Sequence, residues 1–190
     1  MKQDRFGKAG VLSPEQIQHL FSDGLSKPRD LALFGVCLYT GCRIGEACTL
    51  LTSDVINASG PKSAVLFRWH QTKGKRDTRE VPMHPQLHDY LVTYAPDLTR
   101  TYLFPGRHGR SHLRVSSADR ILRQAFGRVG LEGFSTHSFR RTALTQMHNA
   151  GVPTKHIQRI SGHRTLAALS GYLEVTDEQV EGAIAKLVFF

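Results

Sequence analysis

The chain carries a histidine and an arginine at helical spacing, in the segment His137-Ser-Phe-Arg140. On a helix, positions i and i+3 share a face, so the imidazole and the guanidinium can converge on one target. Ser135 or Thr136 can cap this helix, which would place an anion-favouring N-terminus near the same spot. Taken alone the pair is a weak signal, because an exposed His and Arg on an amphipathic helix is the commoner occurrence.

Four further residues carry groups that suit chemistry on a phosphate, although each could stand at its position for structural reasons alone. Arg43 follows a glycine turn at a predicted helix start and can also pair with Glu46, one turn further on. Lys73 lies on a predicted hairpin turn, where a solvated lysine is common. His163 precedes Tyr172 by nine residues in a stretch without Asp or Glu. Only the joint occurrence of these groups favours a shared function.

Together, and in this order, these residues resemble the catalytic boxes of the tyrosine recombinases of the phage-integrase type. The matching segments are Thr40-Gly-Cys-Arg43-Ile-Gly-Glu46 for the box TGxRxxE, Lys73 with the basic residue and strand end Arg79-Glu80-Val81-Pro82-Met83, His137 and Arg140 for HxxR, Gly162-His163, and Tyr172. The resemblance covers the chain from about residue 12 to residue 187. Its departures are mild: Thr136 stands where proline is common, Ser161 replaces a frequent leucine, and Cys42 an often aliphatic residue.

The resemblance implies a catalytic set of Arg43, Lys73, His137, Arg140, His163 and Tyr172. The tyrosine would attack the phosphorus, and the two arginines and His163 would donate hydrogen bonds to non-bridging oxygens. His137 would accept the phenol proton, and the lysine would protonate the leaving 5′ oxygen. The implied product is a 3′-phosphotyrosine with a free 5′ hydroxyl, formed without metal, ATP or another cofactor. Glu46 is interpreted as positioning Arg43 or the fold.

The charge distribution favours a polyanionic partner. The formal net charge is +9, and three segments (55–76, 98–118 and 133–173) contain basic residues but no Asp or Glu. Such segregation suits a surface built around phosphates, although solvated basic faces would look the same. Double-stranded DNA is the predicted partner, and the predicted DNA-contacting residues are Lys75, Arg76, Arg107, Arg110, Arg141 and Arg164. His108 and His112 are interpreted as part of a DNA-facing loop rather than a zinc site.

The pattern of apolar residues predicts an α+β fold, mainly helical with a small antiparallel β-sheet. After a first helix capped by Ser13, helices are predicted at residues 29–39, 43–51, 85–94, 118–129, 137–150, 153–161, 166–173 and 177–187, and strands at 63–69 and 78–83. The resemblance adds the catalytic-domain fold of DNA breaking-rejoining enzymes. The three cysteines, Cys37, Cys42 and Cys48, are predicted to be reduced core residues.

We expect one domain, residues 1–190, without the N-terminal core-binding domain of the family, because only about a dozen residues precede the first helix. The chain would then be an excised catalytic fragment or a short stand-alone member like the fimbrial-switch invertases. The lack of a signal peptide or an apolar run predicts a cytoplasmic, nucleoid-associated protein with no membrane partner. Four copies would assemble on DNA during recombination, whereas the isolated domain would be a monomer. The C-terminal tail would dock in cis or in trans, or its helix would simply belong to the core.

Three other functions remain open at this point. A type IB topoisomerase shares the chemistry but relaxes supercoils without pairing two duplexes, and the Gly-His box and short C-terminal segment favour a recombinase. A DNA-binding regulator that has lost catalysis would have no chemical reason to keep Lys73 together with Tyr172. A metal nuclease would need clustered carboxylates, which the site region lacks.

Overall fold

The molecule is organised around one long buried helix. The computed structural model describes residues 9–69, 78–173, 175 and 177–189. Its helices there are α1 (Pro14–His19), α2 (Pro28–Thr40), α3 (Ile44–Cys48), α4 (Pro85–Tyr94), α5 (Val115–Arg128), α6 (Thr136–Asn149), α7 (Thr154–Ser161), α8 (Leu166–Ser170) and α9 (Asp177–Ile184), with a π-helical turn at Leu20–Gly24 and a 3-10 turn at Thr52–Asp54. The central helix, α2, packs against α3, α4 and α6.

Local sequence signals set both ends of the early helices. Ser13 Oγ accepts a hydrogen bond from Gln16 N at 3.2 Å, and Gln16 Oε1 accepts one from Ser13 N at 2.9 Å. These reciprocal bonds satisfy amides that the first turn would otherwise leave free, as the sequence predicted. α2 begins at Pro28 and ends at Gly41, whose φ of 60° is a conformation that glycine adopts without strain.

Aromatic side chains join α2 to the helix that carries the HxxR pair. Phe34 of α2 stacks on Phe139 of α6 with ring centroids 5.6 Å apart, and both rings are fully buried. Phe21 meets Phe139 edge-on at 6.1 Å. Burying one such ring stabilises the fold by about 1.5–3 kcal/mol. A shift or rotation of α6 relative to α2 would expose these rings, so the stack holds α6 in place.

Within the described residues, the sheet structure consists of two small antiparallel pairs. The strands are β1 (Ile56–Asn57), β2 (Gly60–Pro61), β3 (Ala64–Phe67) and β4 (Arg79–Pro82), and they pair β1 with β2 and β3 with β4. Val65 faces Val81, and both are buried. The β3–β4 pair confirms the predicted hairpin, whereas the two-residue β1–β2 pair is too short to leave an alternating pattern in the sequence.

Some predicted boundaries were wrong. α5 begins at Val115 rather than at residue 118, although Arg114 gives its first turn no side-chain cap. α3 ends at Cys48, and α8 ends at Ser170, so Tyr172 lies in the turn beyond the helix that was predicted to carry it. Helix ends are the least reliable part of a sequence-based assignment, because fraying and caps shift them by a residue or two.

The three cysteines are core residues, as predicted. Cys37, Cys42 and Cys48 are fully buried and carry free thiols. Burial, followed by the nearby Cys42 thiol, raises the pKa of Cys48 to about 12. In the part of the chain that the structure describes, no helix has the length and apolar character needed to cross a bilayer.

Candidate active site

Arg140 is anchored in the interior by the glycine turn that follows α2. The Ser135 hydroxyl caps α6 by accepting a hydrogen bond from His137 N at 3.3 Å, which confirms one of the two predicted caps. One turn later, Arg140 is fully buried, and its Nη1 donates to the carbonyl of Gly41 at 2.6 Å. The HxxR arginine is therefore held by the backbone of the first box, 99 positions away in sequence.

The guanidinium of Arg140 is buried and positively charged, and within the described part of the chain one of its N–H donors lacks an acceptor. Burial, followed by the positive charge of Arg43, lowers the pKa of Arg140 to about 10, so it stays protonated at neutral pH. Among the described residues, none accepts a hydrogen bond from its buried Nε. Two neighbouring guanidiniums and an unsatisfied donor make a site where a phosphate would replace missing interactions.

His163 contacts this guanidinium and is neutral. Its Nε2 lies 3.1 Å and its Nδ1 lies 3.3 Å from Arg140 Nη2, and Ser161 Oγ lies 2.8 Å from Nδ1. Burial, followed by the charges of Arg140 and Arg43, lowers the pKa of His163 to about 3. The ring can therefore act as a neutral hydrogen-bonding group near a phosphate, and it does not add a third positive charge.

Tyr172 completes the cluster and covers the arginine. Its ring centroid lies 5.5 Å from Arg140 Cζ and 4.8 Å from the centroid of His163, with the two ring planes at 53°. The backbone holds the residue, since its carbonyl accepts a hydrogen bond from Thr145 Oγ1 at 3.2 Å and its amide donates to Leu169 at 2.8 Å. The phenol ring thus packs against both the guanidinium of Arg140 and the ring of His163.

A buried ion pair that the sequence did not reveal joins three of the boxes. Glu46 Oε2 accepts a hydrogen bond from Arg43 N at 2.7 Å, and Glu46 Oε1 accepts one from Arg79 Nη1 at 2.9 Å. Arg79 Nε donates in turn to the carbonyl of Ile160 at 3.1 Å, just before the Gly-His box. Glu46 positions the main chain of Arg43, as interpreted from the sequence, but its carboxylate forms its ion pair with Arg79.

The charge on Glu46 is maintained by this partner. Burial acts to raise the pKa of Glu46, but the hydrogen bond and charge of Arg79 and the amide of Arg43 outweigh it and lower the pKa. The Arg79 guanidinium also packs over the Phe67 ring, 4.3 Å from its centroid. The arginine at the start of β4 is therefore a structural tie between α3, the β3–β4 hairpin and the end of α7. The sequence placed Arg79 in the segment that resembles the hairpin box, but it gave no sign that Glu46 is its partner.

The remaining predicted catalytic residues are placed as follows. His137 is exposed on the first turn of α6, three residues before Arg140. Lys73 lies outside the described residues, as do Lys75 and Arg76. The structure thus brings together Arg43, Arg140, His163 and Tyr172, and puts His137 on the same helix as one of them.

Arg141 requires a correction. It was predicted to contact DNA, but only 5% of it is exposed, and its Nη1 donates to the carbonyl of Ala9. The residue packs the segment before α1 against α6, so its guanidinium lies beneath the surface of the fold. Arg164, by contrast, is exposed directly after the Gly-His box.

A basic cavity lies beside the start of α5. Its volume is about 830 Å³, and it is lined by Gly106, Arg107, His108, Arg110, Ser111, His112, Leu113, Arg114 and Ser117. The start of α5 packs against α3, the helix that follows Arg43. Val115 lies beside Gly45 there, where a methyl group in place of the glycine hydrogen would lie 3.8 Å from the valine. Within the described ranges, no three His, Cys, Asp or Glu side chains come together to hold a metal ion. The cavity is therefore a basic pocket at the end of α5 that contacts α3.

Comparison with known proteins identifies the class to which this fold and cluster belong. The model of the phage integrase family matches residues 11–179. The chain therefore belongs to the phage integrase family.

Individual relatives agree with this assignment. A tyrosine recombinase of Thermosipho africanus is 30% identical over 160 residues, which cover 84% of this chain and 54% of that protein. One from Pseudothermotoga lettingae is 29% identical over 181 residues, which cover 93% and 60%. A probable integrase/recombinase of Bacillus subtilis is 25% identical over 175 residues, which cover 91% and 93%. The chain spans little more than half the length of the first two relatives.

Solved structures confirm the predicted fold class. The crystal structure of XerA recombinase superposes with a TM-score of 0.78 at 25% identity, covering 98% of this chain and 67% of that one. XerH site-specific recombinase in a post-cleavage complex with palindromic difH substrate superposes with a TM-score of 0.77 at 19% identity, covering 98% and 55%. The second likeness concerns the fold alone.

Proposed function

We propose that this chain is the catalytic domain of a site-specific DNA recombinase, which cuts and rejoins a DNA strand through a covalent link to Tyr172. The observation that carries the proposal is the buried cluster of Arg140, His163 and the Tyr172 ring, with the charge of Arg43 beside it. Membership of the phage integrase family supports it. No step requires a metal or another cofactor, because the arginines can supply the positive charge that a phosphodiester transition state needs.

The reaction starts with entry of a backbone phosphate beside Arg140. The Tyr172 ring moves off the guanidinium, and the non-bridging oxygens accept hydrogen bonds from Arg43, Arg140 and His163. The phenol oxygen then forms a bond to phosphorus, and the bond from phosphorus to the 5′ oxygen breaks. The link to the 3′ side retains the bond energy as a phosphotyrosine, so a second 5′ hydroxyl can reverse the step without ATP.

Two protons must move in this step. The phenol proton goes to His137, which lies one turn before Arg140 on α6 and carries an imidazole, the commonest general base in proteins. The leaving 5′ oxygen takes a proton from Lys73, a role that rests on the family resemblance. General acid catalysis of this kind is worth roughly 10²–10⁴-fold in rate.

The DNA backbone would follow the basic surface around the cluster. Arg107 and Arg110 line the cavity at the start of α5, and Arg164 is exposed just after His163. Lys75 and Arg76 complete the proposed set from the sequence. These side chains would fix the position of the duplex, since contacts to phosphates carry register rather than sequence information.

Self-association on DNA is proposed from the C-terminal region. α9 and the residues after it expose apolar side chains: Ile184 is 66% exposed, Val188 81% and Phe189 77%. Such a surface favours docking against a neighbouring copy in a four-copy assembly on two duplexes, while the isolated domain stays a monomer in the cytoplasm. Sedimentation on DNA of a chain truncated after Val175 tests this, because loss of assembly with retained binding is the expected result.

A trapped covalent adduct tests the proposal as a whole. The chain is incubated with a pool of nicked suicide duplexes of random sequence, and adducts that survive SDS are collected in the presence of EDTA. We expect an adduct from the wild type and from Tyr90→Phe, a matched control whose ring stacks on Phe21. We expect none from Tyr172→Phe.

The remaining outcomes separate the alternatives. Binding without any adduct across the pool would refute the enzyme and support a DNA-binding module. An adduct that relaxes supercoils but never exchanges strands would support a type IB topoisomerase. An adduct that EDTA abolishes would overturn the metal-free mechanism.

A further inference from the structure

Ser161 is a buried hydroxyl whose contacts bear directly on His163. It is the last residue of α7 and is fully buried. Its Oγ lies 2.8 Å from His163 Nδ1 and 3.3 Å from the carbonyl oxygen of Gln158. A hydroxyl donates one hydrogen bond and accepts others, so this side chain can serve Nδ1 either as donor or as acceptor.

The contacts of the ring define its tautomer in this arrangement. A neutral imidazole carries one proton, on Nδ1 or on Nε2. The guanidinium of Arg140 only donates, and its Nη2 lies 3.1 Å from Nε2 and 3.3 Å from Nδ1, so it does not by itself choose between the two nitrogens. The Ser161 hydroxyl donates its one proton to the Gln158 carbonyl, so at 2.8 Å it accepts from Nδ1. The ring proton is then on Nδ1, and Nε2 is the nitrogen that can accept from Arg140. Every group in this chain of hydrogen bonds has a partner.

A phosphate demands the opposite tautomer. Its non-bridging oxygens only accept, so a neutral His163 can bind one only through an Nε2–H group. Nδ1 would then be an acceptor in a buried place and would need a donor to avoid an unsatisfied polar atom. The Ser161 hydroxyl can provide this donor by rotating its proton from Gln158 to Nδ1.

We propose that Ser161 is a positioning residue that holds His163 as the Nδ1–H tautomer in the free protein and, by reversing its hydrogen bond, as the Nε2–H tautomer when a phosphate is bound. The exchange is balanced: one proton leaves Nδ1 to solvent and one arrives at Nε2, with no net change in charge. The second half of the proposal rests on the proposed function. An aliphatic side chain at this position could hold neither tautomer by a hydrogen bond.

The backbone around His163 is held independently of the Ser161 hydroxyl. Gln158 Nε2 donates to the His163 carbonyl at 3.1 Å, which fixes the main chain of the box. The charged groups that act on the ring are Arg140, Arg43, Arg79 and Glu46. Removing only the hydroxyl should therefore leave the fold of this turn in place and change the hydrogen bonding of Nδ1.

Nitrogen NMR measures the tautomer without any reaction. The ring nitrogens of ¹⁵N-histidine-labelled protein are compared in wild type, Ser161→Ala and Ser161→Thr, with His163→Gln used for assignment. We expect the Nδ1–H pattern in the free wild type and in Ser161→Thr, and a mixture of tautomers in Ser161→Ala. In a Tyr172→Phe complex with nicked duplex, which cannot react, we expect the Nε2–H pattern.

Adduct formation then measures the consequence. We expect Ser161→Ala to form the suicide adduct about ten- to a hundredfold more slowly than wild type, the effect of leaving the buried Nδ1 acceptor without a donor, and Ser161→Thr to restore most of the rate. A slower rate with an unchanged ring spectrum would show a merely structural role and overturn the proposal. A changed spectrum with an unchanged rate would overturn its second half. If the wild type forms no adduct, the proposed function fails, while the spectra of the free protein still decide the first half.

Discussion

Replacing Glu46 by Gln tests whether the buried link between the boxes stabilises the site. The side chain of Glu46 is 3% exposed and that of Arg79 10%, so their ion pair is shielded from water. Removing one partner of such a pair typically costs about 3–5 kcal/mol, because the remaining charge is left uncompensated. Glutamine keeps one acceptor oxygen, so we expect a loss near the lower end, about 3 kcal/mol in the free energy of unfolding.

Urea denaturation followed by circular dichroism measures this loss. With a slope of about 2–3 kcal/mol per molar urea, a loss of about 3 kcal/mol lowers the midpoint by roughly 1–1.5 M. The matched control is Asp119→Asn, which removes an i,i+4 pair with Arg123 whose side chains are 30% and 65% exposed. Exposed helix pairs contribute about 0.3–0.5 kcal/mol, so this midpoint should hardly move.

The pH dependence gives an independent check on the same pair. The pKa of Glu46 is lower in the folded protein than the ordinary value of 4.5, so its charge stabilises the fold above that pH. This contribution is lost as the pH falls through the folded pKa. The difference between wild type and Glu46→Gln should therefore be complete at pH 7 and shrink below about pH 4.5.

A double-mutant cycle with Arg79→Met decides the result. We expect a coupling energy of at least about 1.5 kcal/mol between the two positions, within the range seen for residues in contact. The reasoning is refuted if Glu46→Gln shifts the midpoint no more than Asp119→Asn, or if the coupling energy is near zero.

Three further experiments address other parts of the molecule. Arg140→Lys should slow adduct formation about 10²–10³-fold, because lysine cannot hold the Gly41 carbonyl and a phosphate together; an unaltered rate would remove the residue from the mechanism. Arg107→Ala should reduce by about 0.9 the magnitude of the slope of the logarithm of the DNA-binding constant against the logarithm of salt concentration. The control Arg123→Ala should leave the slope unchanged, because Arg123 pairs with Asp119 within α5. Equal slopes for the two variants would show that the cavity does not contact DNA. The Cys48 thiol, with its pKa raised to about 12, should react with Ellman's reagent only after unfolding, and fast labelling of the native chain would contradict its burial.

The sequence predicted the elements whose signals are local. Ser13-Pro14 and Gly41 marked helix ends through caps that depend on a few adjacent residues, and both are where the sequence placed them. The cluster of arginines, histidine and tyrosine was predicted from the resemblance of these residues, in their order along the chain, to the boxes of the tyrosine recombinases. Local signals suffice where a few neighbouring atoms decide the conformation.

Long-range partners were not predictable in the same way. Glu46 and Arg79 are 33 positions apart, and nothing in either neighbourhood shows that α3 and β4 meet. Arg141 adjoins Arg140 in sequence but points to another side of α6, where the segment around Ala9 covers it. Whether an arginine faces solvent or carbonyls depends on what packs over it, and that is a property of the whole fold.

The ring of Tyr172 over Arg140 has a consequence for inhibitor discovery. A small anion that is screened against the DNA-free chain must displace the phenol from the guanidinium before it can bind. Its apparent affinity is therefore the intrinsic affinity multiplied by the fraction of molecules in which the phenol has moved away. Screens should therefore use Tyr172→Ala, or fragments that replace the aromatic ring as well as the anion. The ring of such a compound would replace the contact that the displaced phenol makes with the guanidinium, and this would offset part of the cost of opening.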